Sequence, residues 1–263
     1  MYKIIFASTI LILSSLGCQK EPNPPTYFPI DLPNCKLLGS SQQGEFRSYT
    51  YEYNASGRLT KQIEKWNGVD RLWYVLHYDG DKLVTREQWS EYLNSPMKMV
   101  RLDSLVYNES GQIIERRELL PNDNFSTHLI YSYEYDSNGL PIKSKIFYPA
   151  KNEFWFSYKY IWEDGNITKI EDYAGEFGQL EHEWFYEYGD ALNYQLLLGL
   201  IPEYPVYRTT NIVKSSMAID YTGLLDLICN PCKTNYEVNA EGLPTSIHYE
   251  WDEHPILLEW ECE

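Results

Sequence analysis

The feature that most constrains this chain is a repeat. Aromatic residues recur at alternate positions and then run into a turn centred on glycine. The full copies are Tyr49-Tyr51-Tyr53 before Gly57, Leu105-Tyr107 before Gly111, Tyr131-Tyr133-Tyr135 before Gly139, Tyr158-Tyr160-Trp162 before Gly165, Trp184-Tyr186-Tyr188 before Gly189, and Tyr236-Val238 before Gly242. A shortened copy is Tyr74-Leu76-Tyr78 before Gly80. The last ring of each copy, or Val238 in its place, falls at 53, 78, 107, 135, 162, 188 and 238, in steps of 25, 29, 28, 27, 26 and 50. The final step is two repeats long. A period near 26 residues accommodates two strands and two turns. Helical repeats need periods of roughly 33 to 47 residues and a 3.6-residue rhythm, and neither is present.

Successive side chains of a strand point to opposite faces, so alternate rings mean one buried face. The intervening Thr50, Glu52, Ser132, Glu134, Lys159 and Glu187 put the other face in water. Glycine supplies the positive φ that such turns require. After it a β-rich run restarts, as at Leu59 to Ile63, Ile113-Ile114 and Ile167 to Ile170. The pattern predicts an all-β fold over residues 35–263, a single domain made of an antiparallel meander of about seven to eight hairpins. Some 14–16 strands closed as a round cylinder would leave a lumen too wide for side chains to fill. The expected shape is therefore a flattened barrel-like sheet, a strongly curved open one, or two packed layers, with its rings shut off from water. One segment breaks the rhythm. Leu192, Leu196, Leu197 and Leu200 fall on one side of a short helix near 190–200, with Asp190 as N-cap and Pro202 and Pro205 as the stop.

The Tyr-x-Tyr-Asp/Asn-x-x-Gly pattern resembles the YD repeats of RHS-type shell proteins. Over residues 45–250 the arrangement is similar to a family of Bacteroidota lipoproteins known as a domain of unknown function with a porin-like fold. The most specific stretches are Thr210-Asn211-Ile212-Val213-Lys214, Tyr236 to Gly242, and Leu243-Pro244-Thr245-Ser246-Ile247. The resemblance implies a curved, barrel-like sheet and no established activity.

The N-terminus reads as an address. Lys3, an apolar run from Ile4 to Leu16 and then Gly17-Cys18 describe a secretory signal, and the run is shorter than the roughly 20 residues a spanning helix needs. Gly17-Cys18 resembles the lipobox of bacterial lipoproteins, with Ser15 as its departure from the pattern. This reading makes residues 1–17 a lipoprotein signal peptide, Cys18 the lipidated residue, and residues 18–34 a tether extended by its five prolines. Gln19 is not the Asp of the inner-membrane retention rule. Cys18-Gln19-Lys20-Glu21 looks like the export tag of surface-displayed Bacteroidota lipoproteins. The expected location is the outer membrane, lipid-anchored, on its surface or its periplasmic face.

Four cysteines remain, and in an exported chain they suggest two disulfides with three connectivities. A four-residue turn brings its ends within disulfide range, which favours Cys229 with Cys232 and leaves Cys35 with Cys262. A zinc site would need all four thiolates from distant segments, and a redox role for Cys229-Asn230-Pro231-Cys232 would need a βαβ setting that the pattern lacks.

Catalytic signals are missing. Histidines 77, 128, 182, 248 and 254 show no metal-ligand spacing. Alternation along Glu181-His182-Glu183 turns His182 away from both acids, and His248 with Glu250 makes at most a two-ligand pair. No nucleophile elbow, dinucleotide fingerprint or phosphate loop occurs. No catalytic residue, metal or cofactor is expected, and any ligand site is unknown. With 22 basic against 38 acidic residues the net charge is −16, which argues against nucleic acid. Acidic strands such as Tyr186-Glu187-Tyr188 argue against membrane insertion. The function this supports is a non-enzymatic, lipid-anchored envelope module with a structural or adhesive role, its partner a protein or a polysaccharide. The alternatives are a glycan-binding accessory lipoprotein using Trp66, Trp73, Trp89, Trp155 and Trp251, and a hydrolase built on paired carboxylates.

Overall fold

A computed structural model describes residues 35–42, 47–91, 96–192, 211–220, 222, 231–250, 252 and 254–262. Residues 1–34, where the signal peptide, Cys18 and the Pro-rich tether are expected, lie outside them, as do Cys229 and Trp251. The described chain forms sixteen strands: β1 (Cys35–Gln42), β2 (Arg47–Tyr53), β3 (Leu59–Trp66), β4 (Val69–Asp79), β5 (Lys82–Ser90), β6 (Lys98–Tyr107), β7 (Ile113–Leu120), β8 (Ser126–Tyr135), β9 (Pro141–Tyr148), β10 (Glu153–Glu163), β11 (Asn166–Ala174), β12 (Leu180–Leu192), β13 (Asn211–Asp220), β14 (Cys232–Val238), β15 (Pro244–Tyr249) and β16 (Ile256–Cys262). Each pairs antiparallel with the next in chain order, and β1 pairs with β16, so the sheet closes into a barrel. The sixteen strands amount to eight hairpins. Both the open sheet and the two-layer arrangement are excluded.

The predicted helix is corrected at its start. Asp190, Ala191 and Leu192 belong to β12, and Leu192 pairs with Asn211 of β13. Residues 193–200 lie outside the described residues. Among the described residues the only helical piece is a single 3₁₀ turn, Pro121–Asp123.

The repeat owes its residue types to a turn and a stitch. In four copies an Asn or Asp follows the last ring and its side chain ties the turn. Asn54 Oδ1 accepts the N–H groups of Ser56 and Arg58 at 3.1 and 2.9 Å, and Asp136 Oδ1 accepts those of Asn138 and Leu140 at 2.9 and 2.8 Å. Asn108 and Asn239 act in the same way. Gly57 and Gly139 sit at φ 77° and 85°, the left-handed conformation that lets the chain re-enter the sheet. The register shifts immediately before Tyr53, Tyr78, Tyr107, Tyr135, Trp162, Tyr188 and Val238. These bulges give the strand ends extra twist.

The last ring then donates to a carbonyl of the preceding strand. Tyr53 reaches Leu37 O at 2.8 Å, Tyr78 Leu59 O at 2.9 Å, Tyr107 Leu83 O at 2.6 Å, Tyr135 Ile113 O at 2.5 Å and Tyr188 Ile167 O at 2.6 Å. Indole N–H groups do the same from Trp162 to Pro141 O and from Trp260 to Pro244 O, both at 2.7 Å. Val238 has no such donor. In that copy Tyr236 crosses over β13 instead, donating to Asp190 Oδ1 at 2.8 Å and accepting the Asp190 N–H at 3.0 Å.

The rings point inward, as the alternation predicts, but they are not shut off from water. Leu37, Leu59, Leu76, Leu83, Leu105, Ile212, Ile247 and Leu258 form a buried cluster, while Tyr51, Tyr53, Tyr74, Tyr78 and Tyr107 packed on it are only partly buried. A ring of sixteen strands is too wide for its own side chains to fill, so the tyrosines line a lumen.

Cys35 and Cys262 face one another across the β1–β16 closure and are disulfide-bonded, with Cα atoms 4.1 Å apart. Cys232 is also disulfide-bonded, and its partner lies outside the described residues.

Candidate functional site

The inner wall of β5 to β10 is polar. Arg86 donates through Nε and Nη2 to Asp103 Oδ2 at 2.9 and 2.6 Å, and Arg101 approaches Asp103 and Glu118 at 3.6 and 3.5 Å. Asp103 is 0% exposed and Arg116 1%, its guanidinium lying 3.7 Å from the Tyr131 ring centroid. Charges this deep persist only when paired or hydrogen-bonded. Beside them Arg101, Arg116, Tyr131, Tyr133, Ser144, Ile146, Tyr158 and Tyr160 line a cavity of about 80 Å³. That is room for several waters or a compact polar group.

One inner row runs on from this cavity. Directly paired residues share a face, and the pairing Tyr133–Ser144–Tyr158–Asp172–His182 carries the lumen wall from β8 to β12. His182 Nδ1 lies 3.0 Å from Asp172 Oδ2. Asp172 is 9% exposed, and burial pushes its carboxyl above the ordinary range against the opposing pull of His182. Here the sequence expectation is corrected. Asp172 pairs with His182 and Tyr173 with Leu180, which leaves Glu181 as the extra residue of a bulge. A bulge sets two residues against one, so strict alternation fails and Glu181 comes to the side of His182. The ligand atoms of Asp172, Glu181 and His182 all lie within 4.8 Å of one another.

The other histidines do not converge. His77 contacts Glu87 at 3.0 Å on the outer wall, and His128 meets Tyr148 edge-on at 5.4 Å. His248 contacts the Asp252 carbonyl at 2.8 Å while Glu250 accepts the Lys233 N–H, so the two have separate partners. His254 donates its backbone N–H to Asp252.

The outer wall carries charge through its middle. Glu134, Lys143, Lys159, Glu171 and Glu183 are consecutive cross-strand neighbours from β8 to β12. Lys143 bridges to Glu134 at 3.1 Å, and Lys169 bridges to Glu171 at 2.9 Å and to Glu183. Lys169 is held above the usual lysine range by hydrogen bonds to Glu183 and Glu171. Burial raises the Glu171 carboxyl, but Tyr173 and the lysines outweigh it and leave it below its usual value. The β11–β12 turn folds over this wall. Lys145 bonds Glu176 at 2.8 Å, and the Phe177 ring lies 5.4 to 5.8 Å from the ammonium groups of Lys143, Lys145 and Lys159.

Exposed aromatics gather at the end away from the Cys35–Cys262 bond. Trp66 is 45% exposed, Phe125 49% and Trp155 46%, and Trp155 stacks on Tyr148 at 5.9 Å. Trp73 and Trp89 are cross-strand neighbours on the outer wall and are only partly exposed. Lys61 Nζ sits 4.0 Å above the Trp73 ring.

No protein-family model matches the chain, and no curated protein sequence matches it. Among solved structures it is similar to a porin-like protein from Bacteroides uniformis ATCC 8492, at 13% identity over 90% of this chain and 100% of that one, with a TM-score of 0.52. A porin-like protein from Bacteroides vulgatus ATCC 8482 aligns with 86% of this chain and 98% of its own at 13% identity, with a TM-score of 0.46. With the sixteen-strand closure, the first likeness gives this chain the fold of a porin-like β-barrel.

Proposed function

We propose that this barrel is a non-catalytic envelope module that stands in water, held to the outer membrane by a lipid on Cys18. The carrying observation is the charged row Glu134–Lys143–Lys159–Glu171–Glu183 on the outer wall. A lipid-facing barrel needs an apolar band there, and each lysine at the bilayer midplane costs about 2–4 kcal/mol. Cys35 pairs with Cys262, so the two ends of the described barrel meet at the seam between β1 and β16. Metabolic labelling with a fatty-acid analogue tests the anchor: the label is expected on the wild type and absent from Cys18→Ala. The Cys18→Ala chain without residues 1–17 is expected to stay in buffer without detergent and to leave vesicle conductance unchanged. Channel activity would overturn the reading.

A second reading follows from the mouth opposite the disulfide. Trp155 stacked on Tyr148, with His128 edge-on to the same tyrosine, offers a flat aromatic face of the kind that packs against sugar rings. Retardation in polysaccharide affinity gels that is lost in Trp155→Ala would support a glycan-binding role. Equal migration of both proteins would exclude this face.

A further inference from the structure

We propose that Asp172, Glu181 and His182 form a binding site for a divalent transition-metal cation of the Zn²⁺ type on the inner wall of the barrel. One imidazole and two carboxylates are the donor set of a borderline cation, and three protein ligands leave a coordination position open to water or to a ligand in the lumen. Their donor atoms lie within 4.8 Å of one another, and His182 Nδ1 is 3.0 Å from Asp172 Oδ2. Ligand atoms around a four-coordinate zinc are about 3.4 Å apart, so small side-chain rotations close the set. A second observation points to a ligand independently of the cluster. Asp172 is 9% exposed, and its Oδ1 is buried with no hydrogen-bond partner. A cation supplies what that oxygen lacks.

The backbone prepares the site. The bulge at Glu181 places two adjacent residues opposite Asp172, which regular pairing would not do. Trp184 lies next to the site, its ring centroid 6.3 Å from that of His182, and provides a reporter.

The test uses the chelator-treated full chain. Titration calorimetry with Zn²⁺ is expected to give one site per chain, and Cu²⁺ to quench tryptophan emission with the Trp184→Phe variant losing that component. His182→Gln and Glu181→Gln should each weaken Zn²⁺ binding by about tenfold or more. Glu181 is only partly buried, so its variant keeps the test open should His182→Gln fail to fold. No Zn²⁺ binding at millimolar metal, or unchanged affinity in Glu181→Gln, overturns the proposal.

Discussion

At the scale of the residue, the repeat tyrosines serve two purposes. Each ring covers apolar wall, and the hydroxyl bonds a backbone carbonyl of the strand before it. Tyr53 shows the energetic consequence. Burial pushes its phenol up to about 12 from 10.0, against the opposing effect of the Leu37 carbonyl contact. Burial raises Tyr78 likewise, opposed by the Arg58 charge. Because the folded phenol holds its proton more tightly than the unfolded one, its contribution is complete below pH 10 and is lost as pH climbs towards about 12. Denaturant midpoints at several alkaline pH values should therefore fall over this window. Tyr53→Phe should make that fall shallower, leaving the share that belongs to Tyr78.

At the scale of the element, the copies ending at Tyr53, Tyr107 and Tyr135 combine an Asx-tied glycine turn, a bulge and one aromatic stitch to the strand before it. The β12–β14 relation is the exception and depends on one glycine. A Cβ at Gly189 would come within 1.8 Å of the Tyr236 hydroxyl and 2.6 Å of its Cζ. Gly189→Ala should break the Tyr236–Asp190 bonds and lower stability by about 1–3 kcal/mol, read from chemical denaturation. In a Tyr236→Ala background the same substitution should cost much less, because the clash is gone. Equal costs in the two backgrounds would mean that the strain lies elsewhere.

For the whole molecule, closure rests on one seam. The Cys35–Cys262 bond spans 227 residues of sequence and locks β1 to β16. In the chain-entropy account a cross-link over so long a loop stabilises by about 5 kcal/mol. Cys35→Ser with Cys262→Ser should lose a large part of that in equilibrium unfolding. Hydrogen exchange should find β1 and β16 deprotected first, since they form the seam. Uniform protection loss around the barrel would show that the seam is no weaker than the other strand pairs.

The amino-acid sequence by itself determined the strands and their facing. Alternate rings, Asn or Asp before a glycine and a period of two strands are local instructions, and a strand obeys them wherever it lies. The Cys35 and Cys262 pairing was readable too, since both ends of a meander meet if the sheet closes. Three features were decided only by tertiary structure. Closure depends on twist summed over sixteen strands, a sum that no single repeat encodes. Asp190 and Leu192, the N-cap and first leucine of the expected helix, belong to a strand because β12 has a partner in β13 to extend along. The meeting of Asp172, Glu181 and His182 required one bulge and one neighbouring strand, and a bulge leaves no mark on a residue pattern that assumes strict alternation.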